Sequence, residues 1–408
     1  MLSPALASSL LVLLGAAGVN AQQRQSLWGQ WGGVNWTGPT LCVDAPGGGG
    51  TACPAVPNGL GNPVSKALND PFTFHAGGKV STKADWTCRQ AEISQLLQKY
   101  ELGTLPGKPS SVSASFSGST LSITVSDNGK SISFSVSINN RPSGAGPHPA
   151  IINYGSFGGL PIPSGVASIN FNNDEIAQQQ DQSSRGKGKF YDLYGSGYSA
   201  GALTAWAWGT NIDPARIGVT GCSRNGKGAM VAGALGPRIA LTLPEESGAG
   251  CWRIAAWQKS RGDNVQDSTQ IVQENVWFSP NFNQYINNVN SLPFDHHLLA
   301  GLIAPRPIHI MENVDMEWLG KVSTYGCMGI ARKQWQALGA LERFGYSQVG
   351  GNSHCSFPSS QQGSELNAFI GKYLLNNPNA GNTNIFRSTQ NHNFNLGSWS
   401  PWTVPTLS

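Results

Sequence analysis

Between residues 112 and 138 the apolar side chains fall on every second position, and from residue 150 onwards they come in short blocks separated by helical stretches. The alternating part comprises Val112/Ala114/Phe116, Leu121/Ile123/Val125 and Ile132/Phe134/Val136/Ile138. Such alternation turns one face of an extended segment towards a core and predicts three strands. Asp127-Asn128-Gly129-Lys130 separates the last two runs. Asn-Gly tolerates the positive φ of a tight hairpin turn, so this pair is predicted to be antiparallel. Upstream, Ile93, Leu96, Leu97 and Tyr100 recur at helical spacing, and Gly103 can end that helix. Downstream, strands are predicted at 150–153, 166–171, 215–220, 239–243, 307–311 and 346–349. One helix should run through Ala200 to Trp208. Another carries Trp335, Leu338, Leu341 and Phe344, with Gly345 past its end.

The segment GVTGCSRNGKGAM, residues 218–230, lies where a short strand should turn into a helix rich in small residues. An antiparallel start followed by βα alternation, with a serine at a glycine-flanked strand-to-helix turn, is the order of an α/β-hydrolase. The predicted architecture is therefore a three-layer sandwich around a mostly parallel sheet with an antiparallel N-terminal part. Ser223 is the candidate nucleophile, although Asn225 occupies the position two residues on where the usual motif has glycine.

A serine hydroxyl needs a base to take its proton, and this fold keeps that base on the loop after its last strand, where His354 falls. His309 lies inside a strand and His392 in the polar tail. In Asp295-His296-His297 the neighbouring rings point different ways, which fits a helix start better than a shared metal. Cys222 precedes the serine and Cys355 follows the histidine. A bond between them would hold their Cα atoms roughly 5.5 Å apart and make Ser223 and His354 neighbours. Its closed loop, longer than a hundred residues, is worth about 4–5 kcal/mol in the chain-entropy model. The acid is left open among Glu246, Asp315 and Glu317, with spacing slightly favouring Asp315. Arg224 and Lys227 stand in the first turn of the following helix, where positive charge opposes the macrodipole by roughly 0.3–1 kcal/mol each. Lys227, four residues past Ser223, shares its helix face. A site that meets an oxyanion or an acidic polar substrate would justify both cations.

Charged residues make up only 12% of the chain, and it contains 13 Trp, a balance suited to an extracellular protein facing carbohydrate. A net charge of +4 is too weak to argue for nucleic acid. The apolar run Ala5 to Val19, closed by Val19-Asn20-Ala21 and followed by Gln22-Gln23-Arg24-Gln25, predicts a signal peptide over residues 1–21 and a secreted protein. No later segment is apolar enough to cross a bilayer. Secretion makes the seven cysteines disulfide formers with one left over, and none has the close paired spacing of a zinc site. Asn35-Trp36-Thr37 is an N-glycosylation sequon.

The stretch Leu27 to Cys42 resembles the first half of a fungal-type cellulose-binding module. Trp31 stands where the first cysteine is expected, and Gly47 to Gly50 replaces the second half. Residues 22–50 are thus expected to be a remnant and linker that does not bind cellulose, with Cys42 as the odd thiol and residues 51–408 as the catalytic domain.

That domain resembles the fungal glucuronoyl esterases. The resemblance rests on Gly221-Cys222-Ser223-Arg224-Asn225-Gly226-Lys227-Gly228, on Pro244 to Gly248, on Thr269 to Phe278, on Asp295 to Leu299, on Trp318-Leu319-Gly320 and on His354 to Pro358. It implies a triad of Ser223, His354 and Glu246, in place of Asp315. It implies that Arg224 stabilises the oxyanion, and that Lys227, Gln266, Glu274 and Trp318 hold the glucuronate hydroxyls. It implies disulfides Cys53–Cys88, Cys222–Cys355 and Cys251–Cys327. The activity implied is hydrolysis of esters between 4-O-methyl-glucuronic acid of glucuronoxylan and lignin alcohols, by a monomer that needs no metal or organic cofactor. Departures from the family pattern are a shortened stretch before Cys251, one extra residue between Glu312 and Trp318, and Asn352 where relatives often have His. Other secreted carbohydrate esterases, acetyl or feruloyl, and a non-catalytic wall-binding protein are the alternatives.

Overall fold

The computed structural model describes residues 53–60, 66–144, 147–155, 159–210, 216–248 and 250–408. The expected signal peptide and module remnant, with Asn35 and Cys42, lie outside these residues.

Ten strands form one sheet: β1 (Ser111–Ser117), β2 (Thr120–Asp127), β3 (Lys130–Asn139), β4 (Ala150–Tyr154), β5 (Ala167–Phe171), β6 (Ile217–Cys222), β7 (Ile239–Glu245), β8 (Ile308–Asn313), β9 (Phe344–Val349) and β10 (Ile385–Ser388). Their order is β1-β2-β3-β5-β4-β6-β7-β8-β9-β10. The pairs β1–β2, β2–β3 and β3–β5 are antiparallel, whereas every pair from β5 across the sheet to β10 is parallel. The hairpin between β2 and β3 turns through Asn128 and Gly129, both at positive φ (50° and 74°), as the sequence required.

Burial follows the two regimes. β1 is the exposed edge along its whole length, and β3 alternates buried and open positions. β8 and β9 are buried at every residue, because helices cover both faces of the parallel part. On one face Ile151, Leu241, Leu243 and Met311 pack against Leu366, Phe369 and Ile370 of the helix Ser359–Tyr373. On the other face lies the helix Arg224–Leu235, so close that a Cβ on Gly228 would come within 2.8 Å of Trp206 and 3.0 Å of Tyr154. This is an α/β-hydrolase fold.

Two segments differ from expectation. The helix predicted to reach Phe344 is Lys321–Ala337, closed by Gly339 at φ 67°. Phe344 instead opens β9, and Gly345 lies inside that strand beside the stacked rings of His309 and Phe369. The apolar spacing of Leu341 and Phe344 belongs to a 3-10 turn and a strand, which one helical period happened to fit. β10 near the C-terminus has no hydrophobic pattern to mark it, since only Ile385 of its four residues is buried.

Asp295 does start a helix, His296–Gly301, and it accepts bonds from the N–H groups of Trp252 and Arg253 as well. One carboxylate therefore ties the starts of two helices. Disulfides join Cys53 to Cys88, Cys222 to Cys355 and Cys251 to Cys327, with Cα separations of 5.3, 5.7 and 5.1 Å. No helix among the described residues is long and apolar enough to cross a membrane.

Candidate active site

β6 ends at Cys222 and the helix begins at Arg224, so Ser223 makes the turn alone, at φ 59° and ψ −125°. A non-glycine residue held there costs on the order of 1–3 kcal/mol, and the surroundings must enforce it. The Ser223 N–H donates to Glu245 O at 3.0 Å, and its carbonyl accepts the Lys227 N–H at 3.0 Å. The missing glycine at Asn225 has a structural answer. Asn225 Oδ1 accepts from Asn173 Nδ2 at 3.0 Å, and its amide nitrogen lies 2.4 Å from where a Cβ on Gly155 would be. The need for a glycine has moved across to Gly155, at φ 71°.

β7 brings the acid. Glu246 directly follows it at φ 40°, and Glu246 Oε2 accepts from His354 Nδ1 at 2.6 Å and from the Cys355 N–H at 2.7 Å. Its Oε1 accepts from Asn313 Nδ2 at 3.1 Å and Asn352 Nδ2 at 2.7 Å. Burial works to raise this carboxyl, but the bonds from His354, Cys355, Asn313 and Asn352 outweigh it and hold Glu246 below the usual carboxylate range. A carboxylate only accepts, so the proton lies on Nδ1 of His354 and Nε2 is left as the basic nitrogen. The Cys222–Cys355 bond then makes Ser223 and His354 neighbours, each being adjacent in sequence to one of its cysteines. Cys355 is also at positive φ, 62°, so three strained non-glycine residues meet at this point.

Asp315, which spacing favoured as the acid, faces elsewhere. Its Oδ2 accepts from the Gly351 N–H at 2.7 Å, fixing the loop before His354. Glu317 accepts from the Asn264 N–H. β8 ends in Asn313, and the carboxylate that meets the base comes one strand earlier. Ligand atoms of Cys222, Glu246, His354 and Cys355 lie within 4.8 Å of one another. The two sulfurs are spent in a disulfide and four donors surround Glu246, so the group is built as a proton relay rather than a thiolate metal site.

Both cations beside Ser223 lean on one indole. Arg224 and Lys227 stand 5.5 and 5.4 Å from the centre of the Trp277 ring. Arg224 Nη1 reaches Gln179 Oε1 at 3.4 Å, and Trp277 Nε1 donates to the same oxygen at 3.0 Å. Lys227 is buried and its Nζ donates to Ser247 O at 2.6 Å. Burial pulls its ammonium down to about 8, against the attraction of Glu312 and Glu274. Gln266 Nε2 donates to Glu274 Oε2 at 3.0 Å, and the Gln266 N–H donates to Trp318 O at 3.0 Å. Trp318 is 38% exposed and meets the His354 ring edge-on at 5.7 Å. Gln266, Glu274, Trp318 and His354 are thus linked in one chain of contacts, and Glu274 also attracts the buried Lys227.

Gln179, Trp277 and Asn313 carry no local sequence signal of a role at this site. Gln179 sits in an unremarkable run of glutamines, and its burial beside Arg224 depends on chain segments far apart in sequence.

A family model described as glucuronyl esterase, fungi, matches residues 123–339. The 4-O-methyl-glucuronoyl methylesterase of Podospora anserina is 67% identical, with the alignment covering 100% of each chain. The glucuronoyl esterase catalytic domain from Hypocrea jecorina superposes with a TM-score of 0.82 at 54% identity, covering 86% of this chain and 100% of that one. A mutant glucuronoyl esterase from Sporotrichum thermophile, in complex with methyl 4-O-methyl-beta-D-glucopyranuronate, superposes with a TM-score of 0.82 at 49% identity, covering 88% and 100%. With that sequence identity over its whole length and this fold, the chain belongs to the fungal glucuronoyl esterase family.

Proposed function

We propose that this protein is a secreted serine esterase that hydrolyses esters of 4-O-methyl-glucuronic acid, of the kind that join glucuronoxylan to lignin alcohols. The observation that carries the reading is the pairing of a strained Ser223, tethered to the His354–Glu246 pair, with two cations on one indole beside it. The Sporotrichum complex with a methyl uronate ester supports the same substrate class.

In the first step Nε2 of His354 takes the Ser223 proton as Oγ bonds to the uronoyl carbonyl carbon, and the carbonyl electrons move onto oxygen. Arg224 and its backbone N–H meet that oxyanion, a contact of a kind worth about 2.7–4 kcal/mol per donor. Glu246 keeps the proton on Nδ1 and stabilises the imidazolium. His354 then gives its proton to the leaving alcohol as the ester C–O bond breaks. Water repeats the sequence on the acyl-serine and frees the uronic acid. Lys227, Gln266, Glu274 and Trp318 are assigned to the sugar hydroxyls. Residues 1–21 are assigned to export.

Rates on methyl 4-O-methyl-glucuronate, acetylxylan and a feruloyl ester, for the protein and for Ser223→Ala, test the assignment. The uronate ester should be the preferred substrate and should lose at least about 1,000-fold in kcat on substitution. Dominant deacetylation, or a fully active Ser223→Ala, would overturn it.

A further inference from the structure

Glu246 is gripped from both sides, and half of that grip comes from two amides outside the serine, histidine and acid. Asn313, the last residue of β8, and Asn352, on the loop that leads to His354, both donate to Oε1, the oxygen His354 does not use. Neither amide is free to turn. Asn313 Oδ1 accepts from the Asp315 N–H at 2.8 Å, which leaves its nitrogen facing Glu246 and Asn352 O. Asn352 Nδ2 faces three acceptors, Glu246 Oε1, Ser353 O at 3.3 Å and Ser356 O at 3.0 Å. A flipped amide would set its oxygen against all three.

We propose that Asn313 and Asn352 are positioning residues for the acid, holding Oε1 so that only Oε2 addresses His354 and keeping Glu246 a carboxylate by neutral donors. The proposal rests on the Ser223–His354–Glu246 reading. Its logic is electrostatic. The titratable groups about Glu246 are His354 from the β9 loop, Glu245 on its own strand and Glu312 on β8, with Lys227 drawn to Glu312 and Asp315 bonded to the Gly351 N–H. Burial first, and then the charge of Glu246 itself, push Glu245 up to about 8 and Glu312 up to about 7, so of the three it is Glu246 that its donors keep ionised. Uncharged N–H donors stabilise Glu246 without adding a cation that would compete with the imidazolium for it. Asn352 carries a second consequence, because it lies on the loop of His354 and so locks base and acid in one register. The strained backbone of Glu246 makes that external hold necessary.

Asn313→Ala and Asn352→Ala should each lower kcat on methyl 4-O-methyl-glucuronate about tenfold, as loss of a bond to a charged group implies, with KM within about twofold. The acid limb of kcat/KM should move to higher pH in both, because a less solvated carboxylate holds the shared proton more tightly and the pair's apparent pKa rises. Asn352→Asp, which keeps the shape but sets a negative acceptor against Oε1 once ionised, should lose at least as much kcat above the acid limb as Asn352→Ala. Thermal unfolding is recorded for every variant. A lowered melting temperature with kcat and the acid limb unchanged would reduce the amides to structural groups and overturn the proposal. Ser223→Ala is measured alongside: activity surviving there removes the relay itself, whereas loss there with unaltered asparagine variants removes only the role of the amides.

Discussion

Replacing Cys222 and Cys355 together by alanine separates two jobs that their bond performs. The bond closes a loop with a sequence separation of 133. The chain-entropy model assigns such a loop about 5 kcal/mol at 25 °C, near the top of the observed range. Cys53–Cys88, with a separation of 35, comes to about 4 kcal/mol by the same rule. On entropy alone the two double variants should therefore differ by only about 1 kcal/mol in stability. Their effects on catalysis should differ far more. The first pair flanks Ser223 and His354, and a misplacement of about 1 Å there can cost a hundredfold in rate. The second pair ties the N-terminal segment to the helix Lys83–Leu97. Denaturant unfolding gives the stabilities, and kcat on methyl 4-O-methyl-glucuronate, taken well below each melting transition, gives the activities. We expect kcat to fall at least tenfold for Cys222→Ala/Cys355→Ala and less than twofold for Cys53→Ala/Cys88→Ala. Equal activity in two folded variants would refute the claim that the bond positions the nucleophile against its base.

Other perturbations test the charges around the relay. Burial, then Glu246 and Glu312, push the Glu245 carboxyl from 4.5 to about 8, and neither of its oxygens has a hydrogen-bond partner among the described residues. A raised carboxyl contributes stability that is complete below pH 4.5 and is lost as pH climbs towards 8, a swing of up to about 5 kcal/mol. Glu245→Gln should therefore match the parent at pH 4 and outlast it in denaturant at pH 8. Equal pH dependence of the two would show that Glu245 is ionised throughout. Trp277→Leu removes the ring under Arg224 and Lys227, while Trp277→Phe keeps a π face and loses only the bond to Gln179. A cation–π contact of about 0.5–2 kcal/mol predicts a 2- to 30-fold loss of kcat for leucine and a smaller one for phenylalanine. His297 and His309 are both held near 4 by burial, so their stability contribution is present above about pH 6.5 and fades as pH falls towards 4. His309→Phe should flatten that acid decline in a stability titration.

The sequence carried the fold because its two hydrophobic periods change once, near residue 150, and that change coincides with the passage from hairpins to parallel strands. It misled where one period imitates another, as at Leu341 and Phe344. Ser223 and His354 could be placed from a turn and a loop position, both local features. The acid could not, since Glu246 and Asp315 follow adjacent strands and only the third dimension shows which carboxylate turns to His354. The supporting groups were hidden for the same reason. Gln179, Trp277 and Asn313 are ordinary residues until folding aligns Gln179 and Trp277 with Arg224, and Asn313 with Glu246.

The most direct test of the mechanism is to acid-quench the protein during turnover of a glucuronate ester and map the trapped adduct by peptide mass spectrometry. A uronoyl group is expected on the peptide containing Ser223, absent in Ser223→Ala and longer-lived in a His354→Ala variant acylated from an ester with an activated leaving group. An adduct on any other residue, or turnover of the ester at the parent rate with Ser223 replaced, would contradict it.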